Sequence, residues 1–523
     1  MNINIKSHKM ADVLKILFYL YFTLMLLLKG LGLTDGIIYN YIFCIASFFA
    51  LCKILLEKHS AMEWLLISIL ILDALYVWYK TGNQGLFWTA LMCLSVKGIS
   101  ISKAFFYGGW IWGSCFVIQI CTHLFGIADF DYVVHNKWAM GHTIRWAMGY
   151  THPNVMQISY AVLVMFFFYS SVRKDNFKKY VIFALFGWIY TFLYSLSLTG
   201  TIMLFVFLFL SGCQNSKHFK ACNQKMFMKI VGELTLPVAA IFSIVAPLTL
   251  QGKWFGLLNK LFQTRPYLSK TIFNLCGVRF FGIDYSHLGR NMTLDCSYMN
   301  LLIGGGIVGF LCVMALYVVC IHHLLWKVHD LWAQKDLIII LTVAVAAISE
   351  PFAFNTSFKN ISLFIVGARI YQLFQEKRQY GLIDGDNHPY EMKTDILGAV
   401  SLIKQENKSK KAAVITVIIG LILASFFYKN APRASEIYGS RRFFDDIEEY
   451  PELYLNEKDI NELEKNTDIR VLDYRGPKEP MVHFTENKTE HINQVEALRS
   501  AVSAFVIYVL LVHIVCFIKR KDS

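Results

Sequence analysis

The chain has 523 residues, 56% of them hydrophobic and 17% charged, with a net charge of +13. Soluble domains carry about 25% charged residues, so the composition excludes an ordinary soluble globule and points to a polytopic membrane protein. The positive charge does not indicate nucleic acid, because Lys and Arg gather in short segments between apolar runs, as cytoplasmic loops do.

Apolar runs near the roughly 20 residues that cross a bilayer recur along the chain. In order they cover 12–32, 36–56, 61–79, 83–96, 104–126, 153–172, 179–196, 198–212, 227–250, 297–326, 335–354, 360–375, 411–428 and 498–518. Backbone in hydrocarbon must satisfy its own hydrogen bonds, which makes each run a helix. The pattern predicts an all-α polytopic membrane protein with about 14 transmembrane helices. The first run follows Lys6 and Lys9 like a signal sequence, but it is too long and lacks a small-residue cleavage site. It is expected to stay as a membrane helix.

Basic residues follow the even-numbered helices: Lys53 and Lys58, Lys97 and Lys103, Arg173 to Lys179, Lys217 to Lys225, Lys327, Lys377 and Arg378, and Lys519 to Lys521. The positive-inside rule then places both termini in the cytoplasm. Three longer segments fall outside: 127–152, 251–296 and 429–497. The expected organisation is a transmembrane core over 1–376 and a cytoplasmic linker over 377–410. Residues 411–523 supply two further helices flanking a small extracytoplasmic domain, 429–497. In that domain "DIEEYPELYLNEKDINELEK" has the pattern of one or two amphipathic helices, and "IRVLDY" that of a short strand. No pair of related halves of the kind found in many transporters is visible. The 12 cysteines show no CxxC or metal-type spacing, so neither a disulfide framework nor a zinc site is expected. Cys276 and Cys296, in one outer loop, are the single candidate pair.

The outer loops carry unusual charges. Arg145 precedes "GYTHPN", with His152 and Asn154 at the start of a helix, and Arg265 lies in "QTRPYLSK". Arg279 and Arg290 lie in "GVRFFGIDYSHLGRN". Guanidinium presents a rigid fork of donors that matches phosphate oxygens, so these are candidate diphosphate ligands. A lone arginine in an outer loop can equally touch a lipid headgroup. Asp295, followed by Tyr298 and Asn300, stands at the outer mouth of the tenth helix. There it is either an N-cap stabilised by the helix dipole or a general base facing a sugar hydroxyl. Glu350, in "SEPFAFN", is an ionisable residue close to the membrane and thereby a candidate for function. The hydroxyls of "SLSLTGT" either bind ligand or satisfy helix ends.

An arginine ahead of "GYTHPN", then "SLTGT", "TRPYLSK", "FFGID", "LDCSYMNLLIGGGIVG" and "SEPFAFN" follow one order. Over residues 10–376 this order resembles the O-antigen polymerase and ligase family, the multi-spanning enzymes of the polysaccharide polymerase (Wzy) type. The resemblance implies an enzyme of the bacterial plasma membrane whose outer loops bind two polyprenyl-pyrophosphate-linked glycans. It places essential arginines in the loops corresponding to 127–152 and 251–296, here Arg145 and Arg265. Ligases of the family carry a histidine where this chain has Asp295, so the aspartate looks more like the polymerase branch of Gram-positive bacteria. Many relatives have an arginine where Leu198 stands, so this chain departs from the family at that turn. Residues 377–523 lie outside the likeness.

The expected function is a polysaccharide polymerase joining polyprenyl-pyrophosphate-linked oligosaccharide repeat units at the outer face of the membrane, for capsule, exopolysaccharide or O-antigen. Arg145 and Arg265 would stabilise the departing diphosphate, and Asp295, with His152 as the alternative, would accept the hydroxyl proton. His152, Asn154, Arg279, Arg290, Tyr298 and Glu350 are candidate substrate contacts. Neither a metal nor a cofactor is expected, and a chain-length regulator and a flippase of the same pathway are candidate partners. Two alternatives stay open: a ligase handing the glycan to another acceptor, and a flippase for lipid-linked oligosaccharide. A flippase calls for charges along a central cavity and two related halves, whereas this chain concentrates its charges in asymmetric outer loops.

Overall fold

The computed structural model describes residues 2–34, 36–124, 132–137, 141–171, 176–215, 226–288, 293–328, 331–376, 410–431, 438–440, 469–471 and 481–521. In chain order the elements begin with α1 (Asn2–Gly30), α2 (Gly36–Leu56), α3 (Ala61–Thr81), α4 (Gly85–Leu94) and α5 (Ile101–Leu124). A hairpin of β1 (Tyr132–Lys137) and β2 (Gly141–Trp146) follows, then α6 (Pro153–Ser171), α7 (Phe177–Ser195), α8 (Leu198–Asn215) and α9 (Met226–Thr249). Next come α10 (Gly252–Leu261), α11 (Arg265–Cys276), α12 (Ser297–Gly304), α13 (Gly306–Trp326), α14 (Leu331–Ala346) and α15 (Ser362–Glu376). The chain closes with α16 (Lys410–Lys429), β3 (Tyr438–Ser440), β4 (Ile469–Val471), β5 (Met481–Phe484) and α17 (Glu486–Lys521).

Every apolar run of the sequence contains a helix, and among the described residues seven are long and apolar enough to cross a membrane. They are Met10–Gly30, Gly36–Leu56, Ala61–Thr81, Ile101–His123, Pro153–Ser170, Met226–Thr249 and Gly306–Trp326. The chain is thus a mainly helical, membrane-embedded protein. Two runs differ from expectation. The run 297–326 is broken at Gly305 into α12 and α13. The run 335–354 stops at Ala346, and Pro351, which cannot continue a helix, opens a single 3-10 turn, Pro351–Ala353.

The chain divides into two compact units: 1–119, 157–177 and 197–391 form one, and 120–156, 178–196 and 392–523 the other. In the first unit α3 opens on a capping box, in which Ser60 accepts from the Glu63 amide and the Glu63 carboxylate accepts from the Ser60 amide. Glu63 also takes the Lys97 ammonium at 2.7 Å, so that two buried charges close on each other. Aromatic rings of Phe18, Tyr21, Phe22, Trp88, Phe358 and Phe364 interlock in the core.

Gly367 on α15 lies flush against α4: a Cβ there would come within 1.9 Å of the Cys93 carbonyl oxygen. Backbone cannot yield as a side-chain tip can, so Gly367→Ala must part the two helices. A loss of about 1–3 kcal/mol or more is expected, seen as a lowered melting temperature of the purified protein.

The helix break is a docking surface. Gly306, at φ 81, allows the turn, and the segment 279–283 lies along it. Ile283 N donates to Ile303 O, Ile307 N to Arg279 O and Val308 N to Phe280 O. The outer-loop segment is thereby bonded onto the broken helix and satisfies backbone groups that the break sets free.

In the second unit β1 and β2 pair antiparallel, Tyr132 opposite Trp146 and Lys137 opposite Gly141. No strand was expected here, although each half contains an adjacent β-branched pair, Val133-Val134 and Thr143-Ile144. "IRVLDY" supplies β4 as expected, in an antiparallel sheet ordered β3-β5-β4. Strand β5 runs into α17 through Thr485 alone, and α17 continues for 36 residues, packed against α16. The expected helices around 446–465 and the linker 377–409 lie outside the described residues.

Candidate functional site

In the first unit four separated motifs converge on one guanidinium. The connection from α10 to α11 contains two consecutive non-glycine residues in the left-handed region, Gln263 (φ 53) and Thr264 (φ 64). Such conformations cost on the order of 1–3 kcal/mol each and persist where surrounding contacts enforce them. Asn259 supplies those contacts, its carbonyl accepting from Thr264 N and its side chain accepting from Tyr267 N at 3.1 Å. The turn sets Arg265 as the first residue of α11, with Pro266 next, where a missing N–H costs nothing.

Arg265 is buried. Its Nη2 donates to Glu350 Oε1 at 3.1 Å, and its Nε lies 3.4 Å from Asp295 Oδ2. Thr199, in "SLTGT", donates its hydroxyl to the same Glu350 oxygen. Ser297 donates to the Glu350 carbonyl and accepts from the Ala353 amide, which holds the carboxylate's own backbone in place. The two acids differ in setting. The Glu350 side chain is 6% exposed and closes a buried pair, whereas the Asp295 side chain is 35% exposed. At 3.4 Å the Asp295 contact is an ion pair without hydrogen-bond alignment, and the buried Nε–H has no hydrogen-bond acceptor among the described residues. An unfilled buried donor costs about 1–3 kcal/mol. A ligand oxygen placed there would remove that cost.

Tyr285 stands beside this acid. Burial, with the Asp295 and Asp284 carboxylates adding to it, pushes its phenol up to about 12, so it is a proton-bearing donor at neutral pH. Arg265 also borders a small cleft walled by Phe242, Pro247, Leu258, Phe262, Pro266 and Ile348. A permanent cation therefore borders an apolar groove.

Other expected site residues of this unit lie elsewhere. Tyr298 is fully buried and donates to the Ala344 carbonyl at 2.7 Å, a tie within the core. Arg279 is exposed, on the segment docked at the helix break. Arg290 lies outside the described residues. Cys276 and Cys296 are both free thiols.

The second unit joins Arg145 and Asn154. Arg145, on β2, is buried; its Nε donates to the Ser195 carbonyl at 2.7 Å and its Nη2 to Asn154 Oδ1. His152 Nδ1 accepts from the Asn154 amide at 3.1 Å, capping the first turn of α6. These contacts clasp the end of β2 to the start of α6 and the end of α7.

Thr199, Ser297 and Tyr285 were not singled out from sequence. Thr199 lay in a motif noted for its hydroxyls, but nothing in its spacing points to a glutamate 151 positions away. Compared with protein-family models, with curated proteins and with solved structures, the chain matches none of them.

Proposed function

We propose that the protein is a membrane glycosyltransferase that polymerises polyprenyl-pyrophosphate-linked oligosaccharides at the outer face of a bacterial plasma membrane, with about 14 crossings and both termini inside. The observation that carries this reading is the Arg265 assembly: a buried guanidinium fixed by Glu350, with an unfilled Nε–H and a solvent-facing carboxylate, Asp295. In this reading the acceptor hydroxyl attacks the anomeric carbon of the donor while its proton passes to Asp295. The carbon–oxygen bond to the diphosphate breaks with inversion, and the electron pair leaves on the diphosphate. That charge grows as the bond breaks, so a prepositioned guanidinium stabilises the transition state more than the ground state. Glu350 is then a positioning residue, because it acts through Arg265, and Arg145 and Asn154 support the loop that carries them.

A deletion strain complemented with Asp295→Asn or Arg265→Lys tests this. Lysine cannot reproduce the fork, and losing one such donor lowers rates by about 10²–10³. Single lipid-linked repeat units should accumulate while the variant protein stays at normal level in the membrane. Long chains of normal length from both variants would refute the assignment.

A further inference from the structure

The loop between Ala353 and α15 contains a cation that the chemistry above does not use. Lys359 is 5% exposed, and among the described residues no hydrogen bond or ion pair reaches its ammonium. Buried lysines normally pair or reach water, and this one has no pairing partner among the described residues. It also stands three residues ahead of α15, where the helix's positive end disfavours a cation and favours an anion. Lys29, in the last turn of α1 and itself buried, lies close enough to add like-charge repulsion, with its Nζ 4.2 Å from the centre of the Tyr39 ring.

The preceding residue is strained. Phe358 has φ 60, a conformation that bulky residues rarely adopt. Its ring is gripped by Tyr21 and Trp88 at about 6 Å between centres. Tyr21 Oη and Trp88 Nε1 are fully buried and without hydrogen-bond partners among the described residues. Burial, with Lys29 adding to it and Glu350 opposing it, pushes the Lys359 ammonium down to about 7.

We propose that Lys359, with Lys29, forms a second anion-binding site at the N-terminal end of α15, taking the diphosphate of a second lipid-linked glycan. The identity of this ligand rests on the polymerase reading, in which two lipid diphosphates must be held at once and Arg265 serves the departing one. An anion here pairs with the Lys359 ammonium, restores its full charge and offsets its repulsion from Lys29.

The test uses the full-length protein in phosphatidylcholine nanodiscs, titrated with inorganic pyrophosphate at pH 6 and pH 8. Lys359→Gln should weaken binding at pH 6 at least tenfold. Lys359→Arg should keep it and flatten the fall in affinity that the native protein shows as pH rises through 7, because guanidinium stays charged. Lys359→Met serves as the folding control. Without pyrophosphate its melting temperature at pH 6 should equal or exceed that of the native protein, since an unpaired buried charge is gone, and pyrophosphate should no longer raise it. Undiminished pyrophosphate affinity in Lys359→Gln would overturn the site. Competition by phosphatidylglycerol added to the nanodisc would assign the site to a phospholipid headgroup and overturn the diphosphate. The two readings fail separately. Long glycan chains from Asp295→Asn cells would remove the polymerase but leave an anion site that Lys359→Gln abolishes. Full binding in Lys359→Gln together with arrested chains in Arg265→Lys would do the reverse.

Discussion

Glu350→Ala is expected to destabilise the first unit by about 3–5 kcal/mol, the usual result of stripping the counter-ion from a buried charge. The Arg265 side chain cannot shed its proton, and it is held in place by a strained turn, so it cannot swing out to water cheaply. Asp295 remains at 3.4 Å, but it is one-third exposed and screened by solvent, which limits what it can replace. The loss should appear as a large drop in melting temperature in detergent. Its cause is separable from lost packing: Arg265→Met combined with Glu350→Met should recover most of the stability, because a matched apolar pair replaces a buried ion pair at little cost. Activity should stay absent in both variants. A double variant no more stable than Glu350→Ala would show that the pair's charge is not the reason.

Gly306→Ala carries the second large effect. An alanine at φ 81 costs about 1–2 kcal/mol from its backbone alone. Its Cβ would also stand 2.3 Å from the Gly282 nitrogen and 2.4 Å from the Phe280 carbonyl, so the docked segment 279–283 must leave. Three backbone hydrogen bonds go with it, at about 0.5–1.5 kcal/mol each. The sum is about 3–6 kcal/mol, and the detachment is local. Limited proteolysis should cut near 277–288 in the variant and spare the native protein. Gly256→Ala is the matched control, since nothing lies within 4 Å of its Cβ position and the helix gains from alanine.

These two residues also mark how far the sequence could be followed. Helices were legible because burial in lipid demands long apolar runs, and each run contains one. The break at Gly305 was not, because "IGGG" reads as ordinary close packing until the segment pressed against it is known. Arg265, Asp295 and Glu350 stood out singly as charges next to apolar runs. That they touch is a tertiary fact: Arg265 and Glu350 are 85 positions apart, and no local period links them. Arg145 stood out for the same reason, yet its contacts in the second unit are with Ser195 and Asn154. Lys359 passed unnoticed because "NTSFKN" has the composition of a solvated loop, and only burial reveals it as exceptional.

The single-residue joint at Thr485 has a mechanical consequence. One residue offers only two soft torsions, so the β3-β5-β4 sheet is joined with little slack to the arm that α17 forms. That arm is 36 residues long, or about 54 Å, well beyond the roughly 30 Å of a hydrocarbon layer. A force applied to the sheet would therefore be delivered directly to the first turn of that helix.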